Sequence, residues 1–297
     1  MSLCSEIILM NREVFEIDEI TWNDLNMDQV YDRINTAKSS VGKEYLRKAL
    51  CNIELSSEPL LKRDSIIDYF SVNSGTEKKL DRIYSALGMT KKVSFLDHIF
   101  KLGELPEQSN VKHIIFIILL IAAVACIFIR PVIGIIALVA VFALNIATYF
   151  ADKAKIEKYF ICIKYLASMV VAADKIIALK LEDTPLSDHI ETLKRTSHTF
   201  ASVRRGSWLI TNSVSGSLVD VIMDYVRMLF HVDLMKFNSM RKTAMDHKDE
   251  IDELYSILGE IELDMCIASY RERLTLYCEP SFTEKCRAVD RKSTRLN

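Results

Sequence analysis

Residues 114–129 read IIFIILLIAAVACIFI, and beyond Arg130 and Pro131 residues 132–151 read VIGIIALVAVFALNIATYFA. The first run is wholly apolar and the second nearly so. A bilayer-spanning helix needs about 20 residues at about 1.5 Å each. The second run reaches that length unaided, and the first reaches it if Lys112, His113 and Arg130 snorkel at its ends. Pro131 has no amide hydrogen and cannot continue the ladder of the first helix, so the Arg-Pro turn folds the two runs into a hairpin. Lys91, Lys92, Lys101 and Lys112 precede the hairpin and Lys153, Lys155, Lys158 and Lys164 follow it, against a single Arg130 at the tip. The positive-inside bias then puts both flanks, and both termini, in the cytoplasm. The alternative is a helical hairpin buried in a soluble core, which so long an apolar stretch disfavours.

The rest of the chain is ordinary in bulk. Its 297 residues suffice for two domains, and 50% apolar with 9% aromatic content excludes a disordered polypeptide. Lys and Arg number 38 against 40 Asp and Glu, so any nucleic-acid contact has to be local. The seven cysteines are scattered without a CxxC pair, which reads as reduced thiols of a cytoplasmic compartment. The opening MSLCSEIILMNREVFEIDEI turns acidic after a short apolar patch and lacks the pattern of a secretory signal.

Outside the hairpin the pattern is helical, with few strand candidates. Met27–Asn35 and Gly42–Asn52 read as short helices, with Ser39 or Ser40 as N-cap of the second. Leu60–Val72 and Thr76–Leu87 are two more, broken at Asn73-Ser74-Gly75. Ile156, Phe160, Ile163, Leu166, Val170, Ala173 and Ile177 recur three and four apart, carrying helix out of the hairpin as a rod. A break is predicted at Glu182-Asp183-Thr184-Pro185, with Ser187 capping a helix that runs to about Phe200. Residues 206–217 (GSWLITNSVSGS) are the least helical. Leu218–Phe237 reads as one helix buried all round, and Ile251, Leu254, Leu258, Ile261, Met265 and Ala268 form a seam for a partner helix.

No stretch specifies catalysis. Gly42-Lys43 is the only Gly-Lys pair, but Ala37 stands where a phosphate loop needs its first glycine and Glu44 where it needs Ser or Thr, so a helix start fits better. The six histidines show no i, i+4 pairing for zinc, and His231 reads as a satisfied core residue. Asp246–Glu253 lacks the glycine and spacing of a calcium loop and reads as a solvated helix face. No serine lies in GxSxG. Lys194, Arg195, Arg204 and Arg205, and again Lys236, Arg241, Lys242 and Lys248, form modest basic clusters able to meet phosphates, though a solvated surface explains them as well. Only Arg130 is charged between Ile114 and Ala151, which disfavours an intramembrane enzyme. The residues thus assign no catalytic, cofactor-binding or metal-ligating position, and DNA-binding residues stay unknown.

Asp18–Leu50, DEITWNDLNMDQVYDRINTAKSSVGKEYLRKAL, resembles the start of the core domain of MutS-family proteins. The matching features are Leu25, the polar run Thr36–Ser40, Gly42, Tyr45, Leu46 and Leu50. Arg63, Ile67 and Phe70 then look like that family's R-x-x-x-I-x-x-F helix, and Leu254–Tyr270 looks like the helix closing the core before the ATPase domain. The Phe-x-Glu wedge of mismatch readers is absent, since Phe15 is followed directly by Glu16. An inserted membrane pair is similar to the membrane-anchored MutS-like proteins of bacteria.

The resemblance implies an all-α, long-helix MutS-core-like bundle interrupted by a two-helix transmembrane hairpin. Residues 1–110 would be the N-terminal part of the core, 111–151 the hairpin, and 152–289 the C-terminal part with lever-like helices. Residues 290–297, DRKSTRLN, are what GAT CGG AAG AGC ACA CGT CTG AAC encodes, which resembles a sequencing adapter read in frame. On that reading the chain is cut before a domain that would bind ATP and Mg²⁺, and carries no cofactor site itself. The implied whole is a homodimeric ATPase of the bacterial inner membrane that contacts lipid and DNA, related to mismatch repair. The competing reading is a membrane-tethered helical scaffold or signalling adaptor that pairs through the seam at Ile251–Ala268.

Overall fold

The computed structural model describes residues 15–54, 56–90, 93–105, 109–201, 203, 225–226 and 228–278. Among them the chain is all-α apart from one antiparallel strand pair, β1 (Phe15–Glu16) with β2 (Asn52–Ile53). Asp18 opens α1 (Glu19–Asp24) by accepting from the Thr21 amide at 2.7 Å. Helix α2 (Met27–Ile34) follows, and Ser39 caps α3 (Ser40–Cys51) by accepting from the Gly42 amide at 3.1 Å. Helices α4 (Ser57–Val72) and α5 (Ser74–Leu87) meet at Asn73, whose side chain donates to the Tyr69 carbonyl. A short α6 (Phe95–Ile99) leads through a 3-10 turn at Phe100–Glu104 to the apolar pair.

That pair is α7 (Val111–Ile129) and α8 (Pro131–Ile177), with Arg130 alone between them. Gly134 makes so tight a turn feasible: a Cβ there would overlap the backbone of Cys126 and Ile127. Both helices are long and apolar enough to cross a membrane, and only 17% of each apolar window is buried. Ile118, Ile121, Phe128, Ile133, Ile136 and Val139 all face outward. A hairpin in the interior of a globular core would bury these side chains; this one leaves them bare.

Helix α8 does not stop where its apolar half ends. It continues to Ile177, and its second half buries Ile156, Ile163, Leu166, Val170 and Ala173, the three-and-four spacing of the predicted rod. After turns at residues 178–186 come α9 (Ser187–Thr199), then α10 (Val232–Asp246) and α11 (Lys248–Glu272). Helix α11 is the hub, packed on α3, α4, α8 and α9. Its Leu254, Leu258 and Ile261 are fully buried, each contributing about 1.5–3 kcal/mol by transfer from water. Phe95 stacks on Tyr255 with centroids 5.9 Å apart, and the Tyr84 hydroxyl donates to the Leu258 carbonyl at 2.8 Å.

Several local expectations are corrected. Ser187 is not a cap: it is the first helical residue, and the Thr184 hydroxyl accepts from the Leu186 amide at 3.2 Å instead. Leu218–Phe237 is not one helix, because His231 takes a left-handed conformation (φ 51°) between helical residues 228–230 and α10. Residues 206–217 lie outside the described set. Asp246–Glu253 is not one helix face, since His247 separates α10 from α11. The Ile251–Ala268 seam is buried within the chain's own core, leaving no free seam for an external helix.

Candidate functional site

The richest polar assembly sits where the apolar hairpin meets the core. His113, near the start of α7, does not snorkel; it is 2% exposed, with Nδ1 2.7 Å from Nδ1 of His231, itself 1% exposed. The two rings meet edge to face, between Phe116 and Tyr149. His231 Nε2 lies 3.3 Å from the Asn145 carbonyl, and the Asn145 amide donates to the Leu229 carbonyl at 3.0 Å. Asn145 sits in an otherwise apolar stretch of α8 and is fully buried because it holds this crossing chain. One turn on, the Tyr149 hydroxyl donates to Asp233 at 2.7 Å and Lys153 reaches the same carboxylate at 3.3 Å. Lys112 closes the rim on Asp152 at 2.6 Å. The hairpin is thereby tied to residues 229–233 by buried hydrogen bonds, stronger there than on a surface, and by the partly exposed Lys153–Asp233 pair.

A second assembly joins α11 to the N-terminal helices through three inward acids. Glu262 accepts from the Lys38 and Ser39 amides, at 2.6 and 3.1 Å, and from the Ser39 hydroxyl. A Cβ at Gly42 would overlap that carboxylate, so the glycine of Gly42-Lys43 makes room for Glu262 at the start of α3. Glu260 receives the Tyr45 hydroxyl at 2.6 Å and His189 at 3.1 Å. Asp264 lies 3.2 Å from Arg63 Nε, but off the line a hydrogen bond requires, and its Oδ1 has no hydrogen-bond partner. Burial pushes its pKa up to about 8 against the pull of Arg63. Glu44 in α3 is likewise raised, to about 7, chiefly by burial. A cavity of about 160 Å³ opens beside Glu262, lined also by Thr36, Glu77, Tyr84 and Cys266.

Of the six described residues in the basic clusters, three are engaged. Lys194 pairs with Glu182 and Arg195 with Glu253. Arg241 is buried and donates to the Leu102 and Leu105 carbonyls, so it anchors the 3-10 turn and is turned away from solvent. Lys242 and Lys248 are exposed, and Arg204 and Arg205 lie outside the described residues. Among the described residues no three His, Cys, Asp or Glu side chains converge to hold a metal ion, and Cys51, Cys162 and Cys266 are buried and form no disulfide with one another. The histidine pair escaped sequence reading because its members are 118 residues apart and neither has a local motif.

The chain is thus an all-α protein with two helices able to cross a membrane, joined to a helical core through a buried polar seam. No protein-family model, curated protein or solved structure matches it.

Proposed function

We propose that this chain is the helical core and membrane anchor of a MutS-like ATPase. The observation that carries the reading is α8, a single 47-residue helix whose first half forms the apolar pair and whose second half packs on α5, α6, α9 and α11. At 1.5 Å per residue it is about 70 Å long, enough to cross a bilayer and reach well into a cytoplasmic core. Such a helix transmits motion between the core and a membrane. The resemblance to MutS cores adds support: α3 and α4, which carry it near one end of the chain, both pack on α11, which carries it near the other.

In this reading α7 and the first turns of α8 span a bacterial inner membrane with both flanks cytoplasmic. A Walker-type domain beyond about Val289 binds ATP and Mg²⁺ and dimerises, moving α8 and α11 as levers, with DNA as the ligand they grip. The scaffold reading loses its footing because the seam it needs is spent inside the core.

Two measurements test it. The purified chain is expected to float with liposomes and to show negligible ATP binding by itself; a soluble monomer without detergent would overturn the anchor. Reading the genomic locus through the Val289 codon is expected to reveal a GxxxxGK[ST] loop downstream. A natural stop near residue 297 would overturn the ATPase.

A further inference from the structure

We propose that His113 and His231 form an acid-sensitive latch that fastens residues 229–233 to the apolar hairpin and lets go when both rings are protonated. The proton positions follow from the partners. The Asn145 carbonyl can only accept, so His231 Nε2 carries hydrogen. A neutral His231 then offers a bare Nδ1, and His113 Nδ1–H donates to it across 2.7 Å. One extra proton, on His113 Nε2, keeps this bond and strengthens it by charge. A second proton puts N–H against N–H, so the bond becomes a repulsion between two imidazolium rings in a buried site.

The surroundings decide what else titrates there. From α7 the pair faces Lys112 and the ring of Phe116. From α8 it faces Asn145, Tyr149 and Asp152, with Lys153 one turn beyond, and from α10 it faces Asp233. Among the described residues each carboxylate already has a lysine partner, Asp152 with Lys112 and Lys155 and Asp233 with Lys153, so neither is left free to neutralise a second imidazolium. Burial holds His231 below the ordinary histidine value of 6.5. The neutral ring's contribution is therefore complete above that value and is lost as pH falls below it. His231 also occupies a left-handed conformation (φ 51°, ψ 30°), uncommon for a residue with a side chain, which the latch holds in place. This inference rests on the contacts between hairpin and core and does not depend on the ATPase reading.

The test is hydrogen exchange of the full chain in detergent micelles, corrected for intrinsic rates, from neutral pH to about pH 5. Protection of residues 228–235 is expected to drop about tenfold in the wild type while α9 keeps its own. His231→Asn, which tolerates the left-handed conformation, and His113→Asn are expected to show no such step. Unchanged wild-type protection overturns the latch, and so does an equal step in both variants, which would assign it to Asp152 or Asp233. Should either variant fail to fold, ¹⁵N spectra of the wild-type imidazoles decide. Nδ1–H on His113 with Nε2–H on His231 supports the latch; the reverse tautomers overturn it.

Discussion

At the residue scale, Glu262 shows how one buried acid can organise a helix start 223 residues away. It satisfies two amides and a hydroxyl at the head of α3, where a free helix start would leave its donors unpaired. Glu262→Ala is expected to cost about 3 kcal/mol in denaturant unfolding, because those donors stay buried and unmet. Glu262→Gln is expected to cost less, since it keeps an acceptor. Gly259 plays a complementary part in α11, where a Cβ would overlap the Tyr45 side chain. Gly259→Ala is therefore expected to destabilise by about 1–3 kcal/mol, seen as a lower denaturation midpoint. Gly42-Lys43 was visible in sequence as a failed phosphate loop and a helix start. Why position 42 is glycine was not, since Glu262 lies on α11, 220 positions further on.

At the element scale, the α7–α8 pair was legible almost to the residue, because length, apolarity and a Pro131 break are properties of contiguous sequence. Its close turn rests on Gly134, where any Cβ runs into backbone that cannot give way. Gly134→Val is expected to splay the pair and lower cross-linking yield between cysteines placed at Lys112 and Asp152, which meet across the two helices at 2.6 Å, with wild-type Gly134 as the reference. Helices α3, α4 and α5 were also foreseen within a few residues, their caps and turn signals being local. The element that failed was Leu218–Phe237. Its apolar density promised one helix, but His231 breaks it to meet His113, and nothing near position 231 in the sequence announces a partner on α7.

At the scale of the whole molecule, the packing sets an unusual pH balance. Glu44 and Asp264 prefer to be neutral in the folded state, with pKa values raised to about 7 and about 8 from 4.5 and 3.8. The folded chain thus binds more protons than the unfolded one between those limits, so these groups favour folding at low pH and lose that contribution as pH rises through 7 to 8. A rise from 4.5 to about 7 amounts to about 3 kcal/mol at most, and one from 3.8 to about 8 to about 6 kcal/mol at most. Urea unfolding in detergent is expected to give a higher midpoint near pH 6 than near pH 8.5, the reverse of a fold held by paired carboxylates. Glu44→Gln and Asp264→Asn together are expected to flatten that dependence; a midpoint that rises steadily with pH in the wild type would contradict it. His231 acts with the opposite sign, its contribution being lost as pH falls below 6.5.

The sequence by itself determined the all-α class, the long apolar pair with its turn, and most helix boundaries, because each depends on neighbours within a few positions. Only the tertiary structure decided that the Ile251–Ala268 seam faces the chain's own α3, α4, α8 and α9. It alone brought Glu262 to Gly42, Arg63 to Asp264 and His113 to His231. Those contacts join residues more than a hundred positions apart, and a buried polar group finds its partner through the packing of whole helices, which no local pattern encodes.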